Sequence, residues 1–209
     1  MSSSSSSLSY FLEALRAGDP AAPELLVNRY RPWLQLLARL QVESRFQGKF
    51  DASDIVQQTL LEACRDLPKF RGQTEAELLG WLRQILAHVL GHEMRLYHGT
   101  QQRDVDREVS LEESIAQSSQ RLANMLAASG SSPSQKAARH EEEVLLADVL
   151  ARLPADYREV IILRNLEGLS HEEVAKRMNR SVGATRMLWA RALARIRKLL
   201  DLTSAPTSP

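Results

Sequence analysis

Through most of this chain apolar residues recur three and four positions apart, and no segment shows the strict alternation of a half-buried strand. That spacing puts them on one face of a helix, so the core has to form between helices. The clearest stretch is Glu75 to Tyr97, where Leu78, Leu82, Ile85 and Val89 mark one side and Leu79, Trp81, Leu86 and Leu90 widen it. Leu8 to Ala17 reads as a short amphipathic helix stopped by Gly18. Pro23 to Val42 reads as a longer one, with Leu26, Tyr30, Trp33, Leu37 and Leu40 near one face. After a break at Gly48, Asp54 to Leu67 forms the next helix, capped by Asp51 or Ser53 and closed by Pro68. The expected fold class is all-α.

Composition then changes along the chain. Residues 1–7 are almost all serine and read as a disordered tail. They have neither a basic start nor an apolar core, so they are not a signal peptide. Residues 8–97 form a first helical domain. Residues 98–140 are rich in Ser, Gln, Gly and Ala, and "ASGSSPSQ" within them is a plain linker. Inside this flexible linker, Leu111 to Leu126 is weakly periodic behind a capping box of Ser110 and Glu113, which predicts a short helix. Residues 141–202 form a second, compact helical domain, and 203–209 a disordered tail.

The second domain carries strong start and stop signals. Glu141 to Leu153 ends before Pro154, which can open the next helix to Leu166, with Gly168 as its stop. Ser170 with Glu173 makes a second capping box, and Leu169 can staple onto Val174. That helix ends near Met178, and Ser181 can cap a last helix to about Leu200.

Charge separates along the same lines. The net charge is only +1. From Glu141 to Glu173 there are nine acids against three arginines, and from Val174 to Leu200 eight basic residues and no acid. A near-neutral chain therefore has a strongly basic end, which attracts polyanions at short range. No apolar run reaches membrane-spanning length, which argues against membrane insertion. The single cysteine, Cys64, rules out an intrachain disulfide and the usual cysteine-rich zinc site. A cytoplasmic location fits.

A short helix, a tight break and a longer helix make a helix-turn-helix. Val174, Ala175 and Met178 would meet Thr185, Trp189, Ala192 and Ile196 in its core. The opposite face of the second helix offers Val182, Arg186, Met187, Ala190 and Arg191, small or positive and free of carboxylates, as entry into a major groove requires. The competing reading is a cationic helical hairpin that is merely core.

Two blocks also resemble a family. "LPADYREVIILRNLEGLSHEEVAKRMNRSVGATRMLWARALARIRKLL" resembles region 4 of bacterial sigma factors. "DASDIVQQTLLEACRDLPKFRG" followed by "LLGWLRQILAHVLGHEMR" resembles region 2. Both stand in the family's order with no room for a full region 3, similar to the extracytoplasmic-function (ECF) group.

The resemblance implies a non-catalytic protein without cofactor that binds core RNA polymerase and promoter DNA. An anti-sigma factor is a usual inhibitor in the group. It implies polymerase docking through Asp54, Gln57 and Gln58, with Asp51 nearby. It implies minus-10 recognition through the long helix and the loop after it, which carry His88, His92, Arg95, Tyr97 and Arg103. There the aromatic rings can stack on bases and the arginines can meet phosphates. It implies minus-35 recognition through Ser181, Val182, Arg186, Met187, Ala190 and Arg191. Arg186 would hold phosphate, Met187 and Ala190 would make apolar contacts, and Arg191 could clamp a guanine. The family's usual Ser-Arg pair is Met187-Leu188 here, which implies an altered minus-35 preference.

Three rivals remain. A stand-alone helix-turn-helix regulator would not need the Asp54–Gln57–Gln58 block. A regulatory decoy would bind polymerase or an inhibitor without reading DNA. A metal enzyme would use His88 and His92, one helical turn apart, with Glu93. Glu93 follows the second histidine, however, so this is not the His-Glu-x-x-His arrangement, and no third ligand is evident.

Overall fold

The computed structural model describes residues 10–14, 17–46, 51–98, 104–127 and 136–204. The serine tail at 1–7, the "ASGSSPSQ" segment, Arg103 and the tail beyond residue 204 lie outside the described residues, and so do the side chains of Tyr97 and His98. The described residues are helical and include no strand, as the periodicity predicts.

Residues 10–14 make a first helical turn, α1. Then come α2 (Ala22–Phe46), α3 (Ala52–Asp66) with a 3₁₀ turn at Leu67–Lys69, α4 (Glu75–His98), α5 (Asp104–Ala127) and α6 (Lys136–Ala151). After them follow α7 (Ala155–Ile161) with a π turn at Ile162–Leu166, α8 (His171–Arg177) and α9 (Val182–Ser204). Helices α2, α3 and α4 pack side by side around Trp33, Tyr30, Leu26, Leu82 and Leu86, all of them fully buried. The Tyr30 hydroxyl donates to Glu75 Oε1 at 3.1 Å, and Arg29 donates to the same oxygen at 2.9 Å. This meets the rule that a buried carboxylate needs partners. Burial, together with the negative charge of Glu75, pushes the Tyr30 phenol well above its usual range.

The segment at 98–140, expected as a flexible linker with a short helix, carries the 24-residue α5. Ser110 lies inside this helix, so it is not the N-cap that its spacing from Glu113 suggests. Leu111, Ile115 and Leu122 are fully buried against α2, α4 and α6. A polar seam runs beside them. Arg83 of α4 donates to the Ser119 hydroxyl at 3.0 Å, which donates to Glu143 of α6 at 2.5 Å. Gln41 of α2 bonds both Ser114 and Ser118. Arg121 caps the π turn by donating to the Leu166 carbonyl at 2.8 Å. The last helix runs on to Ser204, past the expected end near Leu200.

Candidate nucleic-acid interface

Helices α8 and α9 form the expected helix-turn-helix. The Ser170 hydroxyl accepts from the Glu173 amide at 3.2 Å, and the Glu173 carboxylate accepts from the Ser170 amide at 2.7 Å. Those bonds hold the Glu173 carboxyl below the usual range. Asn179 turns the chain with φ +52, a left-handed conformation that asparagine tolerates well. The Ser181 hydroxyl accepts from the Ala184 amide at 3.2 Å and so caps α9. Thr185 secures the same turn by donating to the Ser181 carbonyl at 3.0 Å.

The two faces of α9 divide as the sequence predicts. Val174, Ala175, Thr185, Ala192 and Ile196 are buried between the helices, while Met178 and Trp189 are half-buried. Arg186, Met187, Ala190 and Arg191 are exposed, and Val182 is half-buried at the helix start. Met187 is 57% exposed, so its side chain is open to a partner. Arg186 is paired at 3.3 Å with Glu172 of α8. Helix α5 leaves all four outer residues uncovered. Two polar partners of Trp189 escape sequence inspection. Its indole donates to Asn165 at 2.9 Å, and the His171 ring stands edge-on to it at 5.4 Å. Burial, then the neighbouring Arg164 and Arg186, push the His171 imidazole below its usual range.

Helix α3 presents the second candidate surface. Asp51 is its N-cap and accepts from the Ser53 amide at 2.8 Å. Ile55, Thr59, Leu60 and Ala63 are buried. Asp54, Gln57 and Gln58 are exposed, and Gln58 is bonded to Glu62 at 3.0 Å. Leu61 lies on the same face, 60% exposed. Its position three and four residues beyond Gln58 and Gln57 could have flagged it.

The structure also brings together residues that the sequence keeps apart. His88 and His92 of α4 line one groove of about 640 Å³ with Asp51, Asp54, Gln58 and Glu93. Among the described residues, no three His, Cys, Asp or Glu side chains are grouped so as to hold a metal ion. Arg95 is half-buried further along α4. Phe70 and Trp81 pack at 5.1 Å and border a separate recess of about 520 Å³ lined by Lys69 and Arg71 and equally by Asp66 and Glu77, with Lys69 paired to Asp66 at 2.7 Å. This grouping of aromatic and charged side chains is not visible in the sequence because it forms only where the loop after α3 folds back on α4.

Comparison with known proteins places this architecture. The family described as Sigma-70, region 4 matches residues 143–196, which run from within α6 through α7, the π turn and α8 to most of α9. The chain is 31% identical over 180 residues to the ECF RNA polymerase sigma-E factor of Escherichia coli K12, covering 84% of each protein. It is 29% identical over 193 residues to the ECF RNA polymerase sigma-E factor of Haemophilus influenzae, covering 84% of this chain and 85% of that one. It is 29% identical over 192 residues to the RNA polymerase sigma-H factor of Pseudomonas aeruginosa, covering 91% and 92%.

Proposed function

The chain belongs to the extracytoplasmic-function group of RNA polymerase sigma factors, and from that premise we propose how its exposed helix faces share the work. As a sigma factor it binds core RNA polymerase, recognises promoter DNA and directs the start of transcription, with no catalytic step of its own. Residues 8–97 are the polymerase and minus-10 unit, and 141–202 the minus-35 unit.

On α3, Asp51, Asp54, Gln57 and Gln58 dock on polymerase, and exposed Leu61 adds an apolar contact to that polar surface. On α9, Arg186 holds phosphate while Met187, Ala190 and Arg191 meet base edges, with Ser181 and Val182 at the helix start against the backbone. At the minus-10 element, Tyr97, His88 and His92 stack, and Arg95 and Arg103 meet phosphates. The carboxylates beside His88 and His92 would repel a phosphate backbone, so stacking is the role left to those rings.

The observation that carries this reading is a single chain with two separate exposed surfaces. One is polar with an apolar tip, and the other is basic on a helix-turn-helix. A stand-alone regulator would leave the α3 surface without use. The protein works in the cytoplasm beside its polymerase, and an anti-sigma factor is the expected inhibitor. Among the described helices none is long and apolar enough to cross a membrane. Co-elution with purified core polymerase on size exclusion tests the reading. Stable co-elution is expected. Retained duplex binding without co-elution would turn the assignment to a stand-alone regulator.

A further inference from the structure

Helix α9 reads DNA only if its rotation about its own axis is fixed. With side chains, a helix is about 12 Å across, so a rotation of about 20° moves a side-chain tip by about 2 Å. That shift is enough to break a hydrogen bond to a base edge. Helix α9 is seated on α7 and α8 by Thr185, Ala192 and Ile196, which are buried, and by Leu188, Trp189 and Leu193, which are half-buried against the core. Apolar packing among these side chains has no preferred direction, and Trp189 adds to it a directional bond to a residue outside the helix. Its Nε1 donates to Asn165 Oδ1 at 2.9 Å. The His171 ring meets it edge-on, the planes 77° apart.

Asn165 sits in the π turn Ile162–Leu166, where the Glu167 amide reaches back five residues to the Ile162 carbonyl at 2.9 Å. A π turn inserts one residue relative to an α-helix, so the residues after it are displaced by about 100° around the axis. Single π turns recur at functional positions, where they re-aim side chains. Here the turn places an amide oxygen against the recognition helix. The Arg121 bond to the Leu166 carbonyl fixes the end of the same turn.

We propose that Asn165 is a positioning residue for promoter recognition: through Trp189 it sets the rotation of α9, and so the aim of Arg186, Met187, Ala190 and Arg191. The proposal rests on the reading of α9 as the minus-35 reader. Asn165 touches no DNA; it acts only through the indole.

The test uses the full chain with core RNA polymerase. Wild-type holoenzyme first selects a promoter from randomised fragments. Transcript yield is then compared between that promoter and a copy whose upstream element is scrambled, and the ratio measures upstream selectivity. Asn165→Ala and Trp189→Phe are each expected to lower the ratio roughly three- to tenfold, the worth of one hydrogen bond. The double variant should be no lower than the lower single variant. Asn165→Asp, which keeps an acceptor, should hold the ratio near wild type. Yield from the scrambled copy should stay unchanged throughout. An unchanged ratio in Asn165→Ala, equal losses on both promoters, or multiplied losses in the double variant would overturn the proposal. A wild-type holoenzyme that selects no upstream element would instead overturn the reading of α9 itself.

Discussion

Ser119 of α5 donates a 2.5 Å hydrogen bond to Glu143 of α6, and both are almost fully buried. Arg83 of α4 donates to the same hydroxyl, so three helices meet at one side chain. Ser119→Ala would leave the neighbouring charged groups short of a partner where water cannot replace it. The expected cost is about 1–3 kcal/mol, read as a lowered midpoint in urea unfolding with the slope unchanged. A midpoint equal to wild type would mean that the seam contributes nothing.

The two arginines on the outer face of α9 should behave differently. Arg191→Ala is expected to cost roughly 1–3 kcal/mol at the minus-35 element and to relax sequence preference there. Arg186→Ala should weaken binding to all sequences alike and lower the salt slope by about 1. Glu172→Ala, which frees Arg186 from its 3.3 Å pair, should tighten binding uniformly. Duplex titrations across salt concentrations separate these outcomes. Equal effects of both arginine variants on every sequence would refute the division.

His171 gives the stability a pH dependence. Burial and two neighbouring guanidiniums, Arg164 and Arg186, hold its folded pKa below the ordinary 6.5, with Glu172 acting weakly the other way. Below about 6.5 the unfolded chain takes up a proton that the folded chain resists, so stability falls as pH drops through that window. Above it His171 is neutral in both states and adds no slope. Urea unfolding at pH 7.5 and pH 5.5 should show this fall, and His171→Gln should reduce it. A variant with the full wild-type slope would assign the effect to another group.

The α3 surface predicts a separable defect. Gln57→Ala with Leu61→Ala should weaken association with core polymerase while leaving the unfolding free energy within about 0.5 kcal/mol of wild type, because both side chains are exposed. Minus-35 duplex binding should not change. Loss of duplex binding in the same variant would mean that α3 supports the fold rather than a partner.

Much of this was legible where local chemistry decides the structure. The Ser170–Glu173 box, the Ser181 cap and the Asp51 cap each fix a helix start through neighbours in sequence, and each stands in the structure. Helix α5 was harder to read because its buried stripe of Leu111, Ile115 and Leu122 is interrupted by Ser119. That serine is buried through bonds to Arg83 and Glu143, which lie far away in sequence. Its start at Asp104 also hides the signal, since Ser110 looks like a cap but lies inside the helix. The groove joining His88 and His92 to Asp51 and Asp54 depends on how α3 meets α4, and no local pattern reports that. Asn165 was missed because the π turn, rather than its residue type, aims it at Trp189.

The most direct test of the central claim is run-off transcription with purified core polymerase on randomised promoter fragments, with and without this protein. The account predicts protein-dependent transcripts that share a two-part upstream motif. Tight polymerase binding without any such transcripts would contradict it, leaving a protein that occupies polymerase without directing it to promoters.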